Sequence, residues 1–149
     1  LNKPTSKTWL AIALASVAGY EGLVLHAYPD VVGVPTICYG ETKGVKPGDV
    51  RTKAQCDEML SARLVEFNSE INKCVRVELP ETRRAAFVSL AYNIGSDAFC
   101  KSSVVRNANA GDVRGSCDAM LMWRFAKGIE WQGLINRRHK ERALCLVGV

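Results

Sequence analysis

Residues 20–42 read YEGLVLHAYPDVVGVPTICYGET, and the fold is decided by how this stretch is placed. On its N-terminal side runs an apolar segment, residues 9–20, twelve residues without a charge. A membrane helix needs roughly twenty, so the segment reads as a buried helix, with Thr5 or Ser6 accepting an orphan amide bond from its first turn. Glu21 then falls near the helix end. Across residues 26–49 the texture changes to short β-prone pieces, 31–34 and 36–39, punctuated by Pro29, Gly33, Gly40, Gly44 and Gly48. The reading is a small antiparallel hairpin sheet within a β-rich lobe of about residues 23–50.

Downstream the pattern turns helical. Thr52 followed three residues later by Gln55 forms a capping-box signature, and Met59, Leu60, Leu64, Phe67 and Ile71 recur at helical spacing, which predicts a helix over 52–73. Pro80 suits a first helical turn, Ala85, Ala86, Val88, Leu90 and Ala91 supply an apolar body, and Gly95 a stop. Segments 102–109, 112–125 and 131–147 carry further helical patterns, separated by Gly111 and by Lys127-Gly128. Trp9, Trp123, Phe125 and Trp131 read as core or cleft-edge aromatics. At 149 residues the chain suits one domain, α+β in class, in which a small sheet sits beside a mainly helical body with a ligand-sized cleft between them.

Composition narrows the partners. A formal charge of +5 favours encounters with anionic polymers. No Arg-rich block or basic-and-aromatic motif points to nucleic acid. Six cysteines, Cys38, Cys56, Cys74, Cys100, Cys117 and Cys145, include no CxxC pair, and neither His26 nor His139 sits at a finger-like spacing, so no metal site is expected. An even cysteine count favours up to three disulfides made in an oxidising compartment over buried free thiols; fifteen pairings satisfy the count.

Glu21, Asp30 and Thr36 form the constellation with chemistry in it, because a helix end and a hairpin strand can meet. Glycosidic cleavage needs an acid to protonate the departing oxygen and a second carboxylate to direct water, and a threonine hydroxyl can hold that water in line. Spacing alone leaves other readings open. Asp30 could simply shape the turn after Pro29, and Cys38 with His26 could be a nucleophile and its base, as in a cell-wall peptidase.

The words around these residues resemble the active-site pattern of phage-type lysozymes, approximately EGxxLxAYxDxxGxxTxGYGxT. The resemblance continues through RRAAFVSLAYNIGSDAF at residues 83–99 and GLINRRHKERALCL at 133–146, so most of the chain is covered. It implies a lysozyme-like fold and an endolysin that hydrolyses the β-1,4 bond between N-acetylmuramic acid and N-acetylglucosamine in bacterial peptidoglycan. It puts the catalytic acid on Glu21, the catalytic aspartate on Asp30 and the water-positioning threonine on Thr36, and makes Tyr28 part of the hairpin beside the cleft. An inverting single displacement follows, for which carboxyls roughly 6.5 to 9.5 Å apart are usual. No cofactor is expected.

In the family an arginine of the terminal helix approaches the catalytic glutamate, which nominates Arg137 or Arg138 without choosing between them. The cysteines make the likeness greatest to exported endolysins of lambdoid phages, including those whose N-terminal signal anchor is released from the membrane. That implies a periplasmic location, a membrane-anchored precursor and a monomer. Cys38 stands where many relatives have glycine. Distributing bridges along the chain pairs Cys38 with Cys56, Cys74 with Cys100 and Cys117 with Cys145. The rivals are a lytic transglycosylase acting on the same bond and a non-catalytic wall-binding protein that keeps the fold.

Overall fold

The computed structural model describes residues 8–149, so the expected cap at Thr5 or Ser6 lies outside the described residues. The chain opens with α1 (Thr8–Glu21), β1 (Val24–Pro29) and β2 (Pro35–Cys38), followed by α2 (Lys53–Ile71), α3 (Glu81–Ile94) and α4 (Ser96–Cys100). Next come α5 (Ser103–Asn109), α6 (Val113–Ala119), a 3-10 turn (Met120–Met122), β3 (Phe125–Ala126), β4 (Ile129–Glu130) and α7 (Gln132–Cys145). Both two-stranded sheets are antiparallel. The architecture is the expected α+β one.

The helical body is organised around α3. All of residues 85–91 are buried, so this helix is covered on every side by α1, α2 and α7. From α1 come Trp9, Ala13 and Val17, spaced four apart and therefore on one face. The backbone N–H of Trp9, one of the donors a helix start leaves without an internal partner, is taken by Glu81 Oε2 at 2.7 Å. Leu60, Leu64 and Ile71 of α2 close the other side. Phe87 and Phe99 meet edge to face at 5.4 Å. No helix among the described residues is long and apolar enough to cross a membrane.

Local signals set the boundaries of α2 and α3. The Thr52 side chain accepts from Gln55 N while the Gln55 side chain accepts from Thr52 N, a complete capping box. Gly95 ends α3 at φ 91°. The β lobe departs from expectation. Residues 31–34 form the turn, and the partner of β2 is the earlier β1, with Tyr28 opposite Thr36 and Val24 opposite Cys38. Asp30 is the reason: its Oδ1 accepts from Val32 N at 2.9 Å and Val34 N at 2.8 Å, which outweighs the β propensity of three valines.

One further reading needs correction, and the aromatics divide between the core and the surface. The segment 112–125 is broken into α6, the 3-10 turn and β3, because Lys127 and Gly128, both at positive φ, reverse the chain into a second hairpin. Phe125 and Trp131, on and beside that hairpin, are exposed at 52% and 54%, whereas Trp9 is buried and Trp123 packs partly buried against the core. All three expected disulfides are formed, with Cα separations of 5.0, 5.6 and 5.7 Å. They join β2 to α2, the end of α2 to α4, and α6 to α7.

Candidate active site

A tight reversal after β2 builds one wall of the site. Ile37 and Glu41 exchange both backbone hydrogen bonds at 2.9 Å, so the chain turns back within Cys38, Tyr39 and Gly40. Two of these residues are left-handed, Gly40 at φ 86° and Cys38 at φ 61°. Glycine takes that conformation freely, while cysteine holds it at a cost of about 1 kcal/mol or more. The bridge to Cys56 and the bond from Tyr92 Oη to the Tyr39 carbonyl, 2.9 Å, fasten the reversal to α2 and α3. A Cβ at position 40 would stand 3.5 Å from Glu21 Oε2, so the reversal is laid directly against the end of α1.

Between these walls lies a polar cavity of about 230 Å³, lined by Glu21, Gly40, Glu41, Thr42, Arg63, Phe67, Tyr92 and Asn93. It sits where the hairpin meets the helical body, as a cleft in this class should. Glu41 is buried and spent: its Oε1 accepts from Thr42 N and Lys43 N, and its Oε2 pairs with Arg63 Nε at 3.2 Å. Burial, with the nearby charges of Glu21 and Glu41, pushes the Tyr92 hydroxyl up to about 12.

Behind Glu21 lies a buried cluster of charged side chains. Arg137 Nη1 donates to Glu21 Oε1 at 2.7 Å, and its guanidinium lies 4.6 Å from the centre of the Tyr20 ring. Arg138, wholly buried, donates to Asn93 Oδ1 at 2.8 Å and the Trp123 carbonyl at 3.2 Å. Both arginines reach Glu141, whose Oε1 also accepts from Ser89 Oγ at 2.7 Å. Buried charges persist when paired in this way. The choice between the two arginines is thus resolved: Arg137 meets Glu21, and Arg138 supports from behind.

The remaining expected residues lie on the hairpin. Thr36, buried, donates its hydroxyl proton to the Val34 carbonyl at 2.9 Å. Asp30 anchors the turn through Oδ1, so the turn-shaping reading of this residue holds whatever else it does. Tyr28 lines a different and more apolar cavity of about 210 Å³ with Ala27, Pro29, Gly33, Pro35, Pro47 and Gly48. Neither Asp30, Thr36 nor Tyr28 lines the Glu21 cavity. The sequence assigns no role to Glu41, Tyr92, Asn93 or Glu141; the local signals among them are the Asn-x-Gly at 93–95 and the glutamate within GLINRRHKERALCL at 133–146.

The family model described as phage lysozyme matches residues 18–141, most of the chain and every residue of this site. The chain belongs to the phage lysozyme family. It is 42% identical to the SAR-endolysin of Bacteriophage PS119 over 93% of this chain and 88% of that one. Among solved structures it is similar to an endolysin from Escherichia coli O157:H7 phage FAHEc1, with TM-score 0.84 and 34% identity over 100% of this chain and 97% of the other. It also resembles the muramidase domain of SpmX from Asticaccaulis excentricus, with TM-score 0.85 and 30% identity over 90% of this chain and 94% of that one. The protein is therefore a lysozyme-type glycoside hydrolase, and the family supports hydrolysis of peptidoglycan in host lysis.

Proposed function

We propose that the protein is an N-acetylmuramidase that cuts the β-1,4 bond between N-acetylmuramic acid and N-acetylglucosamine with inversion, using Glu21 as general acid. The observation that carries this reading is the Glu21 carboxyl itself. Arg137 fixes Oε1, while Oε2 lies toward Gly40 in the polar cavity. Oε2 is then the oxygen that delivers a proton to the departing sugar oxygen, since an alkoxide leaves poorly without one.

On the water side, the committed bonds define what remains. Asp30 has Oδ1 occupied by two amides, which leaves Oδ2 to accept from water. Thr36 has given its proton to Val34, so its oxygen takes the second water hydrogen. With both hydrogens held, a lone pair of the water is free to attack the anomeric carbon, and Asp30 takes the proton released. The relatives named SAR-endolysins support export to the periplasm through a signal anchor.

The test is clearing of permeabilised cells by wild type and Glu21→Gln, with loss of roughly 10²-fold or more expected for the variant and little change in melting temperature. An undiminished rate would show that another group supplies the acid, and no clearing by wild type would show a non-catalytic wall-binding protein. Mass spectrometry of the digest decides the reaction, because hydrolysis adds one water per cut and a lytic transglycosylase adds none. Proton NMR of the first product anomer decides inversion against retention.

A further inference from the structure

The geometry points to Asn93 as a substrate-binding residue whose amide nitrogen donates to the 2-acetamido carbonyl of the sugar held beside Glu21, an inference that rests on the muramidase reading above. A side-chain amide offers an acceptor at one end and two donor hydrogens at the other, and which end faces which way is decided by its partners. Arg138 approaches Asn93 at 2.8 Å, and a guanidinium has only donors, so the oxygen must face it. Arg138 has no freedom to yield. It is fully buried, paired with Glu141 and bonded to the Trp123 carbonyl.

The NH2 group of Asn93 is therefore held away from Arg138, on a residue that lines the same cavity as Glu21. It donates to no protein group among the described residues. Of the other polar side chains around this cavity, Thr42 carries a hydroxyl whose donor direction rotates, and the rest are already engaged. Glu41 is spent on two amides and Arg63, Arg63 is paired with Glu41 and Glu66, and the Tyr92 hydroxyl is given to the Tyr39 carbonyl. What remains beside the acid is a neutral donor of fixed direction. Both sugars of peptidoglycan carry a 2-acetamido group, whose amide carbonyl is a stronger neutral acceptor than a hydroxyl or ring oxygen. A fixed donor opposite it discriminates against sugars lacking that carbonyl.

Asn93→Asp separates this role from scaffolding. The aspartate keeps an oxygen for Arg138 and replaces the NH2 by a second acceptor, whereas Asn93→Ala removes both ends. Steady-state rates on purified peptidoglycan, each at the variant's own pH optimum, are expected to fall about 10-fold or more in kcat/KM for both variants. The loss should be carried mainly by KM, with the melting temperature of Asn93→Asp preserved. On partly de-N-acetylated wall the ratio of wild-type to variant rates should shrink toward one. Wild-type rates for Asn93→Asp, or a ratio that ignores acetylation, overturn the inference. A Glu21→Gln control that stays active would instead sink the muramidase reading, so the two failures are distinguishable.

Discussion

With Arg137 and Arg138 both closed off from water, Glu141 is the anion that meets both guanidiniums, and Glu21 satisfies only the first of them. Removing it strands positive charge in the interior, which typically costs about 3–5 kcal/mol. Glu141→Leu is accordingly expected to lower unfolding free energy by about that amount in urea melts, and Glu141→Gln, which keeps an acceptor for Ser89, by less. Tyr92 gives the pH dependence at this scale. Its hydroxyl titrates at 10.0 when free and at about 12 in the fold, because burial and the carboxylates of Glu21 and Glu41 oppose the phenolate. Its contribution is full below pH 10.0 and lost as pH climbs toward about 12, since the unfolded chain releases the proton first. Tyr92→Phe should cost about 1 kcal/mol at neutral pH through the lost bond to Tyr39. It should also show a shallower decline in stability than wild type above pH 10.0, measured by urea melts across that range.

Elements whose ends are fixed by their own residues were readable from the chain, and those fixed by competition were not. The α2 start is written in Thr52 and Gln55, and the end of α3 in Gly95. Thr52→Ala should cost about 1 kcal/mol, visible as a lowered denaturation midpoint with activity intact. The turn at 31–34 was hidden because three valines vote for a strand while one aspartate oxygen organises two amides against it. The hairpin of β3 and β4 was hidden because two-residue strands leave no alternation to detect. In the proposed mechanism Asp30 serves its element through Oδ1 and the chemistry through Oδ2, and substitution separates the two. Asp30→Asn retains an oxygen for the Val32 and Val34 amides and should keep the melting temperature while losing clearing activity. Asp30→Ala should lose both. Glu21, Asp30 and Thr36 were legible as a local pattern, but Asn93, Tyr92 and Glu41 reach the cavity only because α3 and the reversal after β2 pack there, which no local spacing encodes.

At the scale of the whole molecule, three crosslinks span loops of 18, 26 and 28 residues and join the hairpin, α2, α4, α6 and α7. Restricting the unfolded chain through loops of that length contributes about 3–4 kcal/mol each. The double substitution Cys117→Ala, Cys145→Ala is therefore expected to reduce unfolding free energy by about 3 kcal/mol or more, as read by urea denaturation against the intact protein. The two bridges that remain should still support lysis at low temperature. The left-handed Cys38 adds a second consequence, since its backbone geometry is one that glycine would occupy without strain while forgoing the bridge to Cys56. All three crosslinks together amount to about 10 kcal/mol, against about 5–15 kcal/mol for the net stability of a native protein. Glutathione on the cytoplasmic side would withdraw most of that margin, whereas an electron-poor space restores it. The surroundings thus act as an extra folding instruction, granting one polypeptide a durable shape on one side of a bilayer and a fragile one on the other.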